Sequence, residues 1–259
     1  VDYNKWILGG SLGSANVVIP IGIGGLGAGF FYMDGGAQDK FDAAGGRIIG
    51  GFSPSNSRLT GSAAVSFGED FPLSIGFNFK YFTESIDTYK LSGSAFDAGL
   101  WLNAVKDELL FGLAAQNLGG AVGGFNLPLN IRFGGAYRIT TTFTTPSDEG
   151  ATIKKERWVA EEESRFARNL LTLAADIEYK KDSGEAVIHL GSEYWFSTIA
   201  GRVGYEINTA GAVGPGFSGF TVGAGFRLGK FELDYGAQFY GEFGVAHKIS
   251  TTIFFVSSD

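Results

Sequence analysis

Few side chains in this 259-residue sequence have the type and spacing that covalent chemistry needs. Without cysteine there is no thiolate nucleophile, no disulfide and no sulfur-based metal site. His189 and His247 are the only imidazoles. The strand register sets His189 opposite Glu206, as a general base would require, but it places no nucleophile beside them. A histidine satisfied by a cross-strand acid is the reading that fits, and His247 reads as solvated near a loop rim. No H-x-x-H motif or carboxylate cluster has metal-ligand spacing, so no catalytic residue, metal or cofactor is expected. The segment GIGGLG, residues 22–27, matches the G-x-G-x-x-G of dinucleotide sites. That motif works only between a strand and a helix, whose N-terminus receives the phosphate. Here AGFFYM follows and alternates as a strand, so the glycines mark a hairpin.

What remains is electrostatic, and it follows a period of two. In SIGFNFKYF, residues 74–82, Ser74, Gly76, Asn78 and Lys80 alternate with Ile75, Phe77, Phe79 and Tyr81. The same alternation recurs to the C-terminus, in fourteen candidate strands: 2–9, 14–23, 26–33, 58–67, 73–83, 94–103, 109–117, 129–139, 170–179, 186–196, 199–207, 217–228, 231–240 and 246–256. Most have the length of a tilted membrane-crossing strand, about 9–11 residues. The face opposite the large apolar residues carries Lys80, Asp97, Arg132, Arg138, Asp176, Glu178, Glu193, Arg202, Glu206, Arg227, Glu232, Asp234 and Lys248, joined by His189. Acids and bases are nearly balanced there. Facing lipid at the midplane, an Arg or Lys would cost about 2–4 kcal/mol; facing a polar bore it would not. These charges are therefore assigned to a lumen.

Composition agrees. Charged residues are 18% of the chain against about 25% for a soluble domain, while glycine (41) and phenylalanine (24) are abundant. Glycine this frequent disfavours helices. A net charge of −7 without a basic run argues against a nucleic-acid partner. From Trp6 to Met33 there is no charge, long enough for a membrane helix, but Pro20 and the run Val17, Val18, Ile19, Ile21, Ile23 favour extended chain. A turn at Gly24-Gly25 would pair Ile23 with Leu26, Ile21 with Ala28, Ile19 with Phe30 and Val17 with Tyr32. Connections alternate between short turns and longer Gly- and Asp-rich loops at 34–57, 84–93, 118–128 and 208–216, the asymmetry of outer-membrane barrels.

Two turns test the register. A two-residue turn at Ser197-Thr198 sets Glu193 opposite Arg202 and His189 opposite Glu206. One at Gly229-Lys230 sets Arg227 opposite Glu232. Opposite charges meeting across independent turns support a closed antiparallel transmembrane β-barrel of about fourteen strands, one domain spanning residues 1–259. A soluble sandwich would need a second apolar layer, and no segment supplies one. Tyr3, Trp6, Tyr32, Tyr81, Tyr137, Tyr179, Tyr194 and Tyr205 suit interfacial girdles facing membrane lipid, whereas Trp101 and Trp195 fall in the lumen phase.

One segment breaks the pattern. Residues 140–169 form a long connection on the short-turn side, with a charged helical stretch that carries Trp158, Val159 and Phe166. A connection of that length is usually functional or unstructured. These three residues are the candidate docking face for a protein partner.

The motifs GGFSPSNSRLTGSAAVSFG, LSIGFNFKYFTESID, FGLAAQNLG, LPLNIRFGGAYRI, LTLAADIEY, IHLGSEYWF and FRLGKFELDYGAQFYGEFGVAHKIS resemble the PorV/PorQ-type outer-membrane proteins, related to FadL-type fatty-acid transporters. The resemblance covers nearly the whole chain. It implies a FadL-like fourteen-stranded barrel in the bacterial outer membrane, acting as a non-enzymatic accessory of type IX protein secretion or surface assembly, with the 140–169 insertion in the periplasm. The alternative it implies is a channel for hydrophobic or small molecules. FadL-type proteins also carry a plug with an Asn-Pro-Ala motif ahead of the first strand, and this sequence begins at that strand.

Overall fold

Backbone pairing runs unbroken around the molecule. In a computed structural model that describes residues 1–42, 44–67, 72–105, 108–141, 169–209 and 218–255, sixteen strands follow in chain order. They are β1 (Asp2–Lys5), β2 (Ser11–Ile21), β3 (Gly24–Asp34), β4 (Gln38–Phe41), β5 (Arg47–Phe52), β6 (Ser55–Phe67), β7 (Leu73–Ile86) and β8 (Tyr89–Val105). The second half supplies β9 (Leu109–Leu118), β10 (Asn130–Thr141), β11 (Asn169–Lys180), β12 (Glu185–Phe196), β13 (Ile199–Asn208), β14 (Phe220–Leu228), β15 (Phe231–Phe239) and β16 (Val245–Ile253). Fourteen of them close into one antiparallel barrel, each beside its sequence neighbour, with β1 on β16 and β3 on β6. The other two, β4 and β5, form a separate hairpin within the β3–β6 connection.

The large apolar side chains face outward. Along β15 Phe231, Leu233 and Tyr235 are exposed, while Glu232, Asp234 and Gly236 between them are half-buried. Phe77 is 58% exposed and Leu233 52%. Val17, Phe30, Leu59, Phe133, Ile177, Val203 and Ile249 continue this surface around the barrel. A soluble monomer seldom exposes more than a few hundred Å² of contiguous apolar surface. A band that encircles a closed sheet is a lipid-facing surface, since closure leaves no backbone edge to satisfy. Among the described residues no helix is long and apolar enough to cross a membrane.

Four details depart from the sequence expectations. The first strand ends at Lys5 instead of residue 9, because a 3-10 turn at Ile7–Gly9 brings the Trp6 N–H to the Gly10 carbonyl. The first hairpin turns at Gly22-Ile23, so Ile21 pairs with Gly24, Ile19 with Leu26 and Val17 with Ala28. Gly22 takes the left-handed conformation there, at φ 53°, which a β-branched residue avoids. Gly24 is used instead for close approach of β6, since a Cβ on it would lie 2.1 Å from the Ala64 carbonyl oxygen. Residues 84–93 are not a loop, because β7 and β8 continue to a two-residue turn with Asp87 at φ 56°. The 34–57 connection contains the β4–β5 hairpin, which Lys40 ties to that turn by a 2.5 Å ion pair with Asp87.

Lysine at Phe77 or Leu233 will expose its ammonium to lipid, at a cost of about 2–4 kcal/mol, whereas lysine at Ser74 will face the bore. Folding yields in bilayers should fall for Phe77→Lys and Leu233→Lys and hold for Ser74→Lys. Equal yields for the two classes would overturn the facing.

Candidate functional site: the barrel lumen

Because side chains alternate along every strand and the registers are continuous, fixing one inward residue orients the rest. Lys80, only 8% exposed amid the apolar outer surface of β7, is that residue. The pairings then place all fourteen charged candidates inward. Asp97 lies on β8, Arg132 and Arg138 on β10, Asp176 and Glu178 on β11, and His189 and Glu193 on β12. Arg202 and Glu206 lie on β13, Arg227 on β14, Glu232 and Asp234 on β15, and Lys248 on β16.

The structure gathers most of them into cross-strand groups. Arg202 is the hub of the C-terminal wall: its Nε donates to Glu193 at 2.6 Å, its Nη1 donates to Asp234, and its Nη2 lies 3.7 Å from the Glu232 carboxylate. Arg227 donates to Glu232 through Nε at 2.7 Å, and its guanidinium lies 4.4 Å from the centre of the Trp195 ring. Trp195 is 7% exposed, so it packs beneath the arginines and does not line the bore. Arg132 donates to Asp176 at 2.6 Å. His189 lies 3.5 Å from Glu178 and 3.8 Å from Glu206, and the Lys248 ammonium 3.8 Å from Asp2. Arg138 sits opposite Thr172 near the short-turn end. Glycines make room for these groups, since a Cβ on Gly134 would strike the Asp176 carboxylate and one on Gly225 would lie 2.7 Å from Asp234 Oδ1.

The N-terminal wall has one deep polar knot. Lys80 and Asp97 pair at 2.6 Å, and Asn78 donates to Asp97 at 3.2 Å. At a bulge in β9, Gln116 and Asn117 oppose the single Asp97, and Asn117 sits at φ 61°. Asn117 accepts from Lys80, donates its backbone N–H to Asp97 at 2.9 Å, and donates its amide to the Pro128 carbonyl at 3.0 Å. The knot thereby holds the 119–129 connection against the inner wall, where Val122 lies over Gly93 and Phe82, and Leu91 packs on Gly123. At the same long-loop end Tyr240 packs on Trp6. Burial, and then the nearby Glu206 charge, hold the Tyr240 phenol above its ordinary range, so it stays neutral.

Between these groups the wall is bare. A cavity of about 430 Å³ is lined by Ala64, Gly76, Gly99, Ala114, Trp101 and the Arg132–Asp176 pair, among others. It adjoins one of about 360 Å³ through Ala64, Gly76, Gly99 and Ala114, and one of about 650 Å³ through Ala174. These adjoining cavities run between a strip of small residues on β6–β9 and a charged wall on β11–β16.

Sequence reasoning missed inward charges and the knot's central amide. Asp2, Arg58 and Glu84 share the lumen phase, with Arg58 stacked 4.9 Å over Phe31 and Glu84 accepting from Asn56 at 2.9 Å. Counting by twos from Leu59 and Tyr81 would have found Arg58 and Glu84. Asn117 had no such signal, because a bulge breaks the count. His247 is exposed on the outer face near the loop rim, where its Nδ1 bonds Tyr235 at 2.7 Å. The docking candidates Trp158, Val159 and Phe166 lie outside the described residues.

No protein-family model matches this sequence, and no curated protein does. Among solved structures, the Ralstonia pickettii toluene transporter TbuX aligns over 98% of this chain and 88% of its own, with TM-score 0.56 and 13% identity. A mutant Rhodopseudomonas blastica porin aligns over 95% of this chain and 91% of its own, with TM-score 0.40 and 12% identity. At that identity the likeness to TbuX establishes fold alone: a closed fourteen-stranded antiparallel barrel.

Replacing Asn117 tests the knot. Asn117→Ala removes the two side-chain hydrogen bonds, to Lys80 and Pro128, and puts a Cβ-bearing residue without a local polar group at positive φ, at a cost of about 2–4 kcal/mol. Asn117→Gly keeps the backbone and should lose less, about 1–2 kcal/mol. Denaturant midpoints in lipid read the order, and cleavage within 119–129 should quicken in both variants. Wild-type midpoints and cleavage rates would refute the role.

Proposed function

We propose that this chain is a non-enzymatic channel of the bacterial outer membrane that passes small, weakly polar molecules through its bore. The observation that carries the reading is the pairing of an apolar outer band with adjoining lumen cavities, which share a strip of alanine and glycine. A solute of low polarity can pass across the strip formed by Ala64, Gly76, Gly99 and Ala114 without meeting a bulky side chain. The opposite wall keeps water in the bore, and its arginines, held by carboxylates, are not available as unpaired charges. The fold likeness to a toluene transporter is compatible with this cargo class.

The second reading, a PorV/PorQ-type accessory that docks a secretion partner, draws its support from the sequence. The unusual length of 140–169 and the apolar residues Trp158, Val159 and Phe166 favour it. The comparisons lend it no support.

Purified barrel in liposomes should admit small neutral solutes faster than empty vesicles. Deleting 142–168 should leave that flux equal or higher. Absence of flux from folded protein, together with stoichiometric co-purification of one partner that the deletion abolishes, would replace the channel reading with the accessory one.

A further inference from the structure

We propose that the inner wall of β6–β10 carries a binding subsite for a neutral hydroxylated aromatic molecule, a phenol. The proposal rests on the channel reading and names a class of cargo. The register puts Ala64 opposite Gly76, Gly76 opposite Gly99, Gly99 opposite Ala114, and Ala114 opposite Arg132. Four adjacent strands thus contribute nothing larger than a methyl group along one row. With strands about 4.8 Å apart, Ala64 to Ala114 spans about 14 Å, a shelf flat enough for a planar ring. Trp101 stands beside the row on the lumen side of β8, half-exposed, with its indole Cε3 about van der Waals distance from a Cβ placed on Gly112. A large apolar ring that borders a flat shelf offers an aromatic ligand an edge-to-face or offset partner.

The polar end of the shelf selects the substituent. Arg132 and Asp176 form a 2.6 Å pair that stays partly open to the bore. The pair is neutral as a unit and presents donors beside an acceptor. An anion would compete with Asp176 for Arg132, and a cation would compete with Arg132 for Asp176. A hydroxyl both donates and accepts, so it can donate a hydrogen bond to the carboxylate and accept one from the guanidinium without breaking the pair. A bare hydrocarbon gains the shelf and forgoes both bonds.

The chain lends itself to a clean test. A Cβ on Gly99 would have no neighbour closer than 3.5 Å, and one on Gly76 none closer than 3.8 Å. Gly99→Leu and Gly76→Leu therefore fill the shelf with only ordinary van der Waals contact to the backbone, and either serves if the other folds poorly. Wild-type barrel in nanodiscs is titrated with 4-fluorophenol, fluorobenzene and 4-fluorobenzoate, read by fluorine NMR against empty nanodiscs. Binding of 4-fluorophenol should exceed that of the other two about tenfold, and a filled shelf should weaken it about tenfold. Replacing both partners, Arg132→Leu with Asp176→Leu, should erase the preference over fluorobenzene. Equal binding of the three probes, or unchanged binding in both folded leucine variants, overturns the subsite. Liposome flux of fluorobenzene is measured in parallel. Flux without phenol preference sinks the subsite alone, while phenol binding without flux upholds the subsite and sinks the channel.

Discussion

In hydrocarbon a backbone N–H or C=O has no water to fall back on, so a strand can cross a membrane only if both of its edges are paired. That requirement shapes this molecule. The sheet must close, and β1, only four residues long, is there to join β2 to β16. Once the sheet is closed, every side chain has one of two environments. Alternation along the strand then becomes a division between lipid and lumen, with large aromatic and aliphatic residues outside and charges inside.

Confinement to a bore changes what the charges do. They cannot spread over an open surface, so they meet across strands, and the registers bring acids to bases at Glu193–Arg202, Arg227–Glu232 and Arg132–Asp176. Pairs in a wet bore are each worth little, about 0–1 kcal/mol, while desolvated ones cost more to break. Their larger effect is on space and field. Arginines folded against carboxylates over glycine leave room in the lumen and show an incoming solute neutral pairs. On the other wall the row Ala64, Gly76, Gly99 and Ala114 leaves a strip on which nothing larger than a methyl group stands in the bore.

The deepest polar group serves a different end. Lys80 and Asp97 sit at 8% exposure, a costly place for charge unless every partner is in position. The β9 bulge supplies those partners by turning Asn117 inward at positive φ. The same side chain reaches Pro128, so the buried pair and the inward-lying 119–129 connection depend on one amide.

The sequence by itself determined the barrel and its facing. A period of two over fourteen segments admits one solution once membrane-length strands and inward charges are combined, and two-residue turns leave no freedom in the pairing of Glu193 with Arg202 or Arg227 with Glu232. The first hairpin escaped that logic. GIGGLG offers several glycines for one turn, and the choice of Gly22 depends on β6 needing Gly24 for its close approach, a contact about forty residues away in sequence. The inner hairpin bridge at Val122–Phe125, the β4–β5 hairpin and the bulge at Asn117 were equally out of reach, because each breaks the period that made the rest legible. Only the tertiary structure decided that Trp195 lies buried under arginines while Trp101 stands open to the bore. Both have the lumen phase, and what separates them is the neighbours that closure brings: Arg202 and Arg227 around one, and around the other a wall of glycine and alanine with nothing to cover it.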